Sequence, residues 1–370
     1  MADIDSNYMR MALWEAKKGI GRTSPNPCVG ALVVKNGRVV GKGYHKKTGT
    51  PHAEVHALHD AGPKAKGATL YVTLEPCNHT GRTPPCTEAV LQAGIAQVVI
   101  GMNDPNPQVA GGGAKYLAAH GLTVISGVLE QKCREINQPF IKHSATGLPW
   151  VILKAGMSLD GRIAAIPGKA TMITGKQSLA RVHTLRSQVD AIMVGIGTAL
   201  ADDPSLTARL AKAGSGRDPL RVVLDTGLRM SPSAKMLQQN SAAGTWVFCA
   251  RGTDSEKRSV LEAAGAVVKT VPAVSRGRLD IKAVLKILGQ AQVTSLLVEG
   301  GSRVHGSFLD AGLVDQLLLF VAPKFLGDQG VPLATLPGRK LKKDLPNLKI
   351  IKTRRYGEDV LIEGRFISSK

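Results

Sequence analysis

His52, Glu54, Cys77 and Cys86 are the side chains whose types and order could do chemistry together in this chain. His52 and the two cysteines offer one nitrogen and two sulfur donors, a set that suits tetrahedral zinc. A catalytic zinc keeps its fourth position open for water. Glu54, two residues beyond the histidine, is placed to move protons rather than to bind metal. With Pro76 ahead of the first cysteine, the order His-x-Glu, Pro-Cys, Cys is the one used for hydrolytic attack on an amino-bearing ring carbon, the glutamate shuttling protons. A surface His-Ala-Glu beside two unrelated cysteines would not be expected to place the proline, both thiols and the acid in sequence.

The flanking residues predict elements that could hold these groups. Residues 31–34, 38–43 and 68–74 are largely apolar runs punctuated by glycine, and read as strands. Helical patterns open directly after His52 and after Cys86. A ligand at a helix N-terminus lies in a positive local field, which favours the thiolate that zinc requires. Glu54, in the first helical turn, is expected to face a metal-bound water.

The chain has 370 residues, more than one hydrophobic core usually serves, so two domains are expected. Hydrophobic residues make up 43%, an ordinary globular content. Apolar runs reach nowhere near the roughly eighteen residues of a membrane span, and the acidic start Met1-Ala2-Asp3-Ile4-Asp5 is not that of a basic signal peptide. A cytoplasmic location with no membrane partner is expected. Beyond the two metal-binding cysteines, Cys28, Cys133 and Cys249 lie in apolar or helical contexts and read as buried thiols rather than disulfide partners.

A formal charge of +20 raises a competing class, a deaminase or a catalytically silent module that binds RNA or single-stranded DNA. The densest basic stretches are residues 339–343 and 352–355. Aromatic residues make up only 4%, so platforms for stacking unpaired bases are scarce, and the basic clusters alternate with apolar residues at 348–351 and 360–362 that read as terminal strands. A solvated basic face and no nucleic-acid partner is the expectation. Anionic small ligands would account for part of the charge, though not all of it.

The pattern breaks near residues 143–150. Before the break, Gly111-Gly112-Gly113 opens a helical stretch, a strand is expected at 122–127 and one helix at 130–140. After it, apolar runs at 150–155, 191–196, 220–224, 245–250, 295–299 and 316–322 alternate with helical patterns at 177–186, 256–264 and 279–288. That alternation predicts an α/β domain with a largely parallel sheet. Strands ending in Val194-Gly195-Ile196-Gly197-Thr198 and Val298-Glu299-Gly300-Gly301-Ser302 could bring backbone close to a phosphate or ribose, or could simply be tight turns; neither is a G-x-G-x-x-G fingerprint.

Eight residues separate Cys77 from Cys86, where nucleic-acid and nucleoside deaminases commonly place two. With this loop, and with residues 23–30, 41–45, 104–107 and 109–111, the chain closely resembles the bifunctional riboflavin-biosynthesis deaminase/reductase family. The likeness continues through residues 154–162, 173–175, 185–186, 190–192, 197–198, 200–209, 224–226 and 299–302, and spans roughly residues 5 to 365. It implies an α/β architecture: a cytidine-deaminase-like N-terminal domain (1–146) that uses zinc, followed by a dihydrofolate-reductase-like C-terminal domain (147–370) that uses NADPH. It implies that Asn26, His45, His79 and Arg82 surround a phosphorylated pyrimidine in the first domain. In the second, it implies that Gly156, Met172, Thr198, Asp202, Thr226, Gly300, Gly301 and Ser302 contact NADPH. Ala170, Arg186, Leu206, Arg209 and Glu299 would hold the substrate, with Lys154 near its sugar and Lys154 or Asp202 assisting proton movement. The planar guanidinium forks of Arg186 and Arg209 suit a ribose phosphate, though both could be ordinary surface charges.

One departure from the family stands out. Where its reductases commonly show Ser-x-Trp-Ile-Thr, this chain has Ala170-Thr171-Met172-Ile173-Thr174, which removes a hydroxyl and an aromatic wall. A working reductase is still expected, with Thr171 as a substitute donor. The alternative is a single-activity deaminase whose second domain does not reduce. The sequence leaves oligomeric state open and is compatible with a homo-oligomer.

Overall fold

The computed structural model describes residues 2–79, 84–106, 112–210, 216–274, 277–336 and 348–366. The chain divides into two compact units, Met1–Gly147 and Leu148–Lys370. Arg82 and the basic run 339–343 lie outside the described residues.

The first unit is built on a five-stranded sheet of β1 (Gly30–Lys35), β2 (Arg38–Tyr44), β3 (Thr69–Leu74), β4 (Gln97–Met102) and β5 (Thr123–Ser126), in the order β2-β1-β3-β4-β5. β1 pairs antiparallel with β2 and β3; β3, β4 and β5 run parallel. Around it lie α1 (Ala2–Lys17), α2 (Ala53–Ala61), α3 (Cys86–Gln92), α4 (Gly113–Ala119), α5 (Glu130–Ile136) and α6 (Gln138–Thr146). Alternating glycines on β2 set the height of α2. A methyl group on Gly41 would stand 2.3 Å from the carbonyl oxygen of Ala57, and one on Gly43 would stand 2.4 Å from that of Ala53. The helix that begins just after His52 therefore rests backbone to backbone on the sheet.

The single helix expected over 130–140 is two. Pro139 lies in the first turn of α6, where its missing N–H is tolerated; inside one continuous helix it would lose the bond to the Glu135 carbonyl and its ring would clash there. Asn137, buried at the joint, donates to the carbonyls of Cys28 and Cys133 and accepts from the Cys28 amide at 2.8 Å.

The second unit holds β6 (Trp150–Ser158), β7 (Arg162–Ala164), β8 (Ala191–Gly195), β9 (Leu220–Leu224), β10 (Thr245–Ala250), β11 (Ala266–Val271), β12 (Ala273–Val274), β13 (Arg278–Leu279), β14 (Ser295–Val298), β15 (Gln316–Ala322), β16 (Val331–Pro332), β17 (Leu348–Tyr356) and β18 (Asp359–Phe366). Its helices are α7 (Lys176–Arg186), α8 (Ile196–Asp202), α9 (Ser255–Ala263), α10 (Ile281–Gln290) and α11 (Ser302–Asp310). Nine strands form one sheet in the order β11-β10-β9-β8-β14-β6-β15-β18-β17. It is parallel from β11 to β15 and antiparallel through β18 and β17.

Successive residues of the parallel strands enter different cores. Ile192, Val194 and Val223 join one apolar cluster, Ala191, Met193 and Val222 the other. A parallel sheet covered on both faces produces such continuous apolar runs. Among the described residues, no helix is long and apolar enough to cross a membrane.

Candidate active sites

In the first unit, three separate elements deliver His52, Cys77 and Cys86 to one point. His52 is the extended residue that caps α2, Cys77 follows β3, and Cys86 is the first residue of α3. Their ligand atoms all lie within 4.8 Å of one another, His52 Nδ1 being 3.2 Å from Cys86 Sγ and 3.5 Å from Cys77 Sγ.

The donors are tuned for a cation. Cys77 accepts hydrogen bonds from the Cys86 thiol and from the Cys86 amide at 3.3 Å, and His52 adds a further one. Against the opposing effect of burial these hold the Cys77 pKa down to about 4. Cys86 is pushed upward, because the pair shares one proton. A thiolate, a second thiol and an imidazole in this compass fit a zinc ion.

Glu54, in the first turn of α2, is 3% exposed and does not belong to the donor cluster. Burial raises its pKa to about 7, and its Oε2 is buried without a hydrogen-bond partner. It is therefore a carboxyl able to hold or release a proton near neutrality.

A cavity of about 360 Å³ opens over these groups, lined by Asn26, His45, Thr48, His52, Glu54, Cys77, His79, Asp104 and Asn106 among others. Asn26 Nδ2 lies 3.2 Å from His45 Nε2, and the His45 ring meets that of His52 edge-on at 5.3 Å. Burial lowers the His45 pKa, and the ring is held at both nitrogens, Nδ1 facing the Pro51 carbonyl at 3.3 Å. Sequence reasoning quoted Asp104 and Asn106 within a motif but gave them no role. Both line the cavity, and burial raises the Asp104 pKa.

Glu75, also unassigned, ties the parts of this site together. Its Oε1 accepts from the amides of Gly112 and Ala114 at 3.0 Å, and its Oε2 from that of Asp104 at 3.1 Å. Gly113 lies against the metal loop, where a methyl group would come within 1.9 Å of the Pro76 carbonyl oxygen.

The second unit has a cleft of about 890 Å³ beyond the carboxyl ends of its parallel strands, where open α/β sheets bind ligands. Lys154, Gly156, Ala170, Thr198, Asp202, Thr226, Glu299, Gly300, Gly301 and Ser302 all line it. A methyl group on Gly301 would stand 3.2 Å from Thr198 Oγ1. Gly300 and Gly301 thus make a narrow backbone cradle at the start of α11, which fits the phosphates of a dinucleotide.

Glu299 anchors the other end of the cleft. It accepts Arg186 Nε at 3.0 Å, Arg186 Nη2 at 2.9 Å and Lys154 Nζ at 3.4 Å. Burial would raise its pKa, but the two cations overcome that and hold it at about 2. Arg186, Leu206, Arg209 and Met172 are not part of the cleft wall. Arg186 is engaged by Glu299, Leu206 is buried with φ of 52°, Arg209 is exposed, and Met172 is 82% exposed. Thr171 lines the cleft and its hydroxyl accepts from the Ala165 amide at 3.1 Å. His305, Arg229 and Arg278 line it as well and were not singled out from the sequence; no motif marks them.

A histidine–dithiol centre beside a buried acid, joined in one chain to a dinucleotide-sized cleft, defines a zinc hydrolase coupled to an oxidoreductase. The family model for the cytidine and deoxycytidylate deaminase zinc-binding region matches residues 2–102, and that for the RibD C-terminal domain matches residues 149–362. Riboflavin biosynthesis protein RibD of Escherichia coli (strain K12) is 43% identical over 368 residues, covering 97% of this chain and 98% of its own. That of Aquifex aeolicus (strain VF5) is 42% identical over 360 residues, covering 97% and 98%. The solved structure of Acinetobacter baumannii RibD, form 1, matches with a TM-score of 0.89 at 34% identity and covers 100% of both chains. A diaminohydroxyphosphoribosylaminopyrimidine deaminase/5-amino-6-(5-phosphoribosylamino)uracil reductase from Thermotoga maritima matches with a TM-score of 0.86 at 35% identity, covering 99% of both. This chain belongs to the RibD family, the bifunctional zinc deaminases and NADP-dependent reductases of riboflavin biosynthesis.

Proposed function

We propose that residues 1–146 hydrolyse the 2-amino group of 2,5-diamino-6-ribosylamino-4(3H)-pyrimidinone 5′-phosphate, and that residues 147–370 then reduce the ribosyl group to ribityl with NADPH. The observation that carries this reading is the convergence of His52, Cys77 and Cys86 on one point beside buried Glu54, whose Oε2 has no hydrogen-bond partner.

In the deaminase, His52, Cys77 and Cys86 would hold zinc, which when bound supplies the Lewis acidity that brings the pKa of a water towards about 7. Glu54 takes a proton at Oε2 and returns it to the departing amino group. Asn26 and His45, joined at 3.2 Å, would orient the pyrimidine, with His79, and by the family likeness Arg82, towards its ribose phosphate.

In the reductase, NADPH supplies the hydride. The Gly300-Gly301-Ser302 turn, Gly156, Thr198, Asp202 and Thr226, which line the cleft, would orient the cofactor. Ala170 and Glu299, which line the cleft, would face the substrate. Because Glu299 already occupies the Arg186 fork, Arg186 acts by holding that carboxylate in place. Lys154 and Asp202 are the groups of the wall able to carry the proton that the reduction consumes.

The substrate on this reading is a free phosphorylated pyrimidine rather than a polynucleotide. The five cysteines are free thiols, in keeping with action in the reducing cytoplasm. A homo-oligomer is compatible with the reading. The test supplies purified protein with the pyrimidinone phosphate, with and without NADPH. Ammonia release in both, and NADPH oxidation only after deamination, are expected. Ammonia without any NADPH oxidation at saturation would leave a single-activity deaminase, and no ammonia would overturn the reading.

A further inference from the structure

The reductase cleft ends in a pair of arginines that neither half of the proposed chemistry uses. It runs across the carboxyl ends of neighbouring strands. Lys154 and Gly156 lie on β6, Glu299 and the glycine cradle follow β14, Thr198 follows β8, and Thr226 follows β9. From β6 to β9 is three strand spacings of about 4.8 Å, or roughly 14 Å. If the hydride end of the dinucleotide lies at Lys154 and its phosphates at Gly300 and Gly301, its adenosine half reaches Thr226. At that end the wall is made by Arg229, Gly277 and Arg278. The two loops are joined by a hydrogen bond of 3.1 Å from Thr226 Oγ1 to the Gly277 carbonyl.

In Rossmann-type sites a carboxylate accepts the adenosine ribose 2′-hydroxyl or an arginine accommodates the 2′-phosphate, and the same chemistry applies wherever the adenosine ribose lies. The strand-end carboxylate here is Asp225, and it is buried outside the cleft wall. It is fully buried, and its Oδ2 accepts the amides of Arg229 and Met230 at 2.5 and 2.8 Å. Its Oδ1 faces Arg229 Nε at 3.6 Å, and it forms no part of the cleft wall. Asp225 thereby shapes the turn that presents Arg229, whose side chain is 60% exposed. Arg278 has a buried Nε without a hydrogen-bond partner among the described residues. Two guanidiniums against one carboxylate leave this end of the cleft positive.

We propose that Arg229 and Arg278 form the subsite for the 2′-phosphate of NADPH and so determine its selection over NADH. This rests on the reading that the glycine cradle holds the dinucleotide. The guanidinium fork matches a phosphate bidentately, whereas a ribose hydroxyl would leave both charges unanswered.

Calorimetric titration of the full chain with NADP+, NAD+, adenosine 2′,5′-bisphosphate and adenosine 5′-monophosphate tests this without turnover. Wild-type protein should prefer each 2′-phosphorylated ligand. Arg229→Ala and Arg278→Ala should each raise the dissociation constants of NADP+ and the bisphosphate about ten- to a hundredfold, leaving those of NAD+ and the monophosphate within about twofold. Arg229→Lys and Arg278→Lys, which keep the charge and lose the fork, should fall between, and melting curves establish that every variant folds. Equal weakening of NADP+ and NAD+ would place the arginines on the diphosphate and overturn the subsite. So would unchanged NADP+ binding in both alanine variants. Wild-type protein that binds neither dinucleotide would overturn the reading of the cradle itself.

Discussion

Arg186 and Glu299 meet through two parallel hydrogen bonds, Nε to Oε1 at 3.0 Å and Nη2 to Oε2 at 2.9 Å, with both side chains largely removed from solvent. The pair joins the last residue of α7 to the residue that follows β14, so it fixes the floor of the reductase cleft. Removing Arg186 leaves buried Glu299 with Lys154 alone, at 3.4 Å. Arg186→Ala is expected to destabilise the second unit by up to about 3 kcal/mol, less than for a fully stranded charge, and to abolish reduction while leaving deamination intact. Urea melts and the two separate assays check this; an Arg186→Ala protein that still reduces would remove Glu299 positioning from the account.

Glu299 also sets an acid limit. Its pKa is depressed to about 2 from an ordinary 4.5, so the stability it contributes is complete above about 4.5 and is lost as pH falls through 2. The 2.5-unit gap corresponds to about 3 kcal/mol. Glu299→Gln should flatten the stability profile across that window, which acid titration followed by tryptophan fluorescence would reveal.

His305 acts in a higher window. It is 1% exposed; burial, with Lys154 adding to it, lowers its pKa from 6.5 to about 4 against a hydrogen bond to the Leu333 carbonyl at 2.9 Å. The unfolded chain therefore binds the proton first as pH falls. Stability should decline from about pH 6.5 to pH 4 by about 3 kcal/mol and level off below. Comparing urea midpoints of wild type and His305→Gln at pH 7 and pH 5 checks this, and equal losses in the two proteins would rule it out.

Glu54→Gln should bind zinc as wild type does and lose deamination by at least about a hundredfold, the usual scale for a general acid–base. Cys77→Ser and Cys86→Ser should instead lower the zinc content itself. Metal analysis beside the ammonia assay separates the two effects, and a Glu54→Gln enzyme of full activity would refute the role.

Gly43→Ala pushes against the backbone of α2, where the added methyl would meet the Ala53 carbonyl. A cost of about 1–3 kcal/mol is expected, with weaker zinc retention, because lifting α2 carries His52 and Glu54 away from Cys77 and Cys86. Competition with a chelator measures the second effect.

The cluster of His52, Cys77 and Cys86, with Glu54 beside it, was legible in the sequence because the zinc chemistry proposed for it demands particular residue types in order. The parallel strands β8, β9, β10, β14 and β15 were legible because burial on both faces writes an apolar run. The break at Asn137 was not, since Pro139 acts against an otherwise continuous helical pattern. β11 escaped because it lies at the edge of the sheet and alternates buried Val268 with exposed Val267 and Lys269 at intermediate exposure. Arg229 and Arg278 are ordinary basic residues in a strongly basic chain; only the cleft that gathers them from segments about fifty residues apart gives them meaning. Glu75 carried no signal of its own, because its partners Asp104, Gly112 and Ala114 are far off in the chain.

Those partners carry a consequence for how the deaminase centre breathes. The Glu75 carboxylate precedes Pro76 and Cys77, and it holds the amides of Asp104, Gly112 and Ala114. An ion gripping Cys77 would restrain Glu75 through two peptide units, and through it a rim that never touches the metal. Deuterium uptake at those three amides should slow on zinc loading and quicken when it is stripped, so that solvent exchange at the pocket mouth reports on the occupancy of a site several residues away.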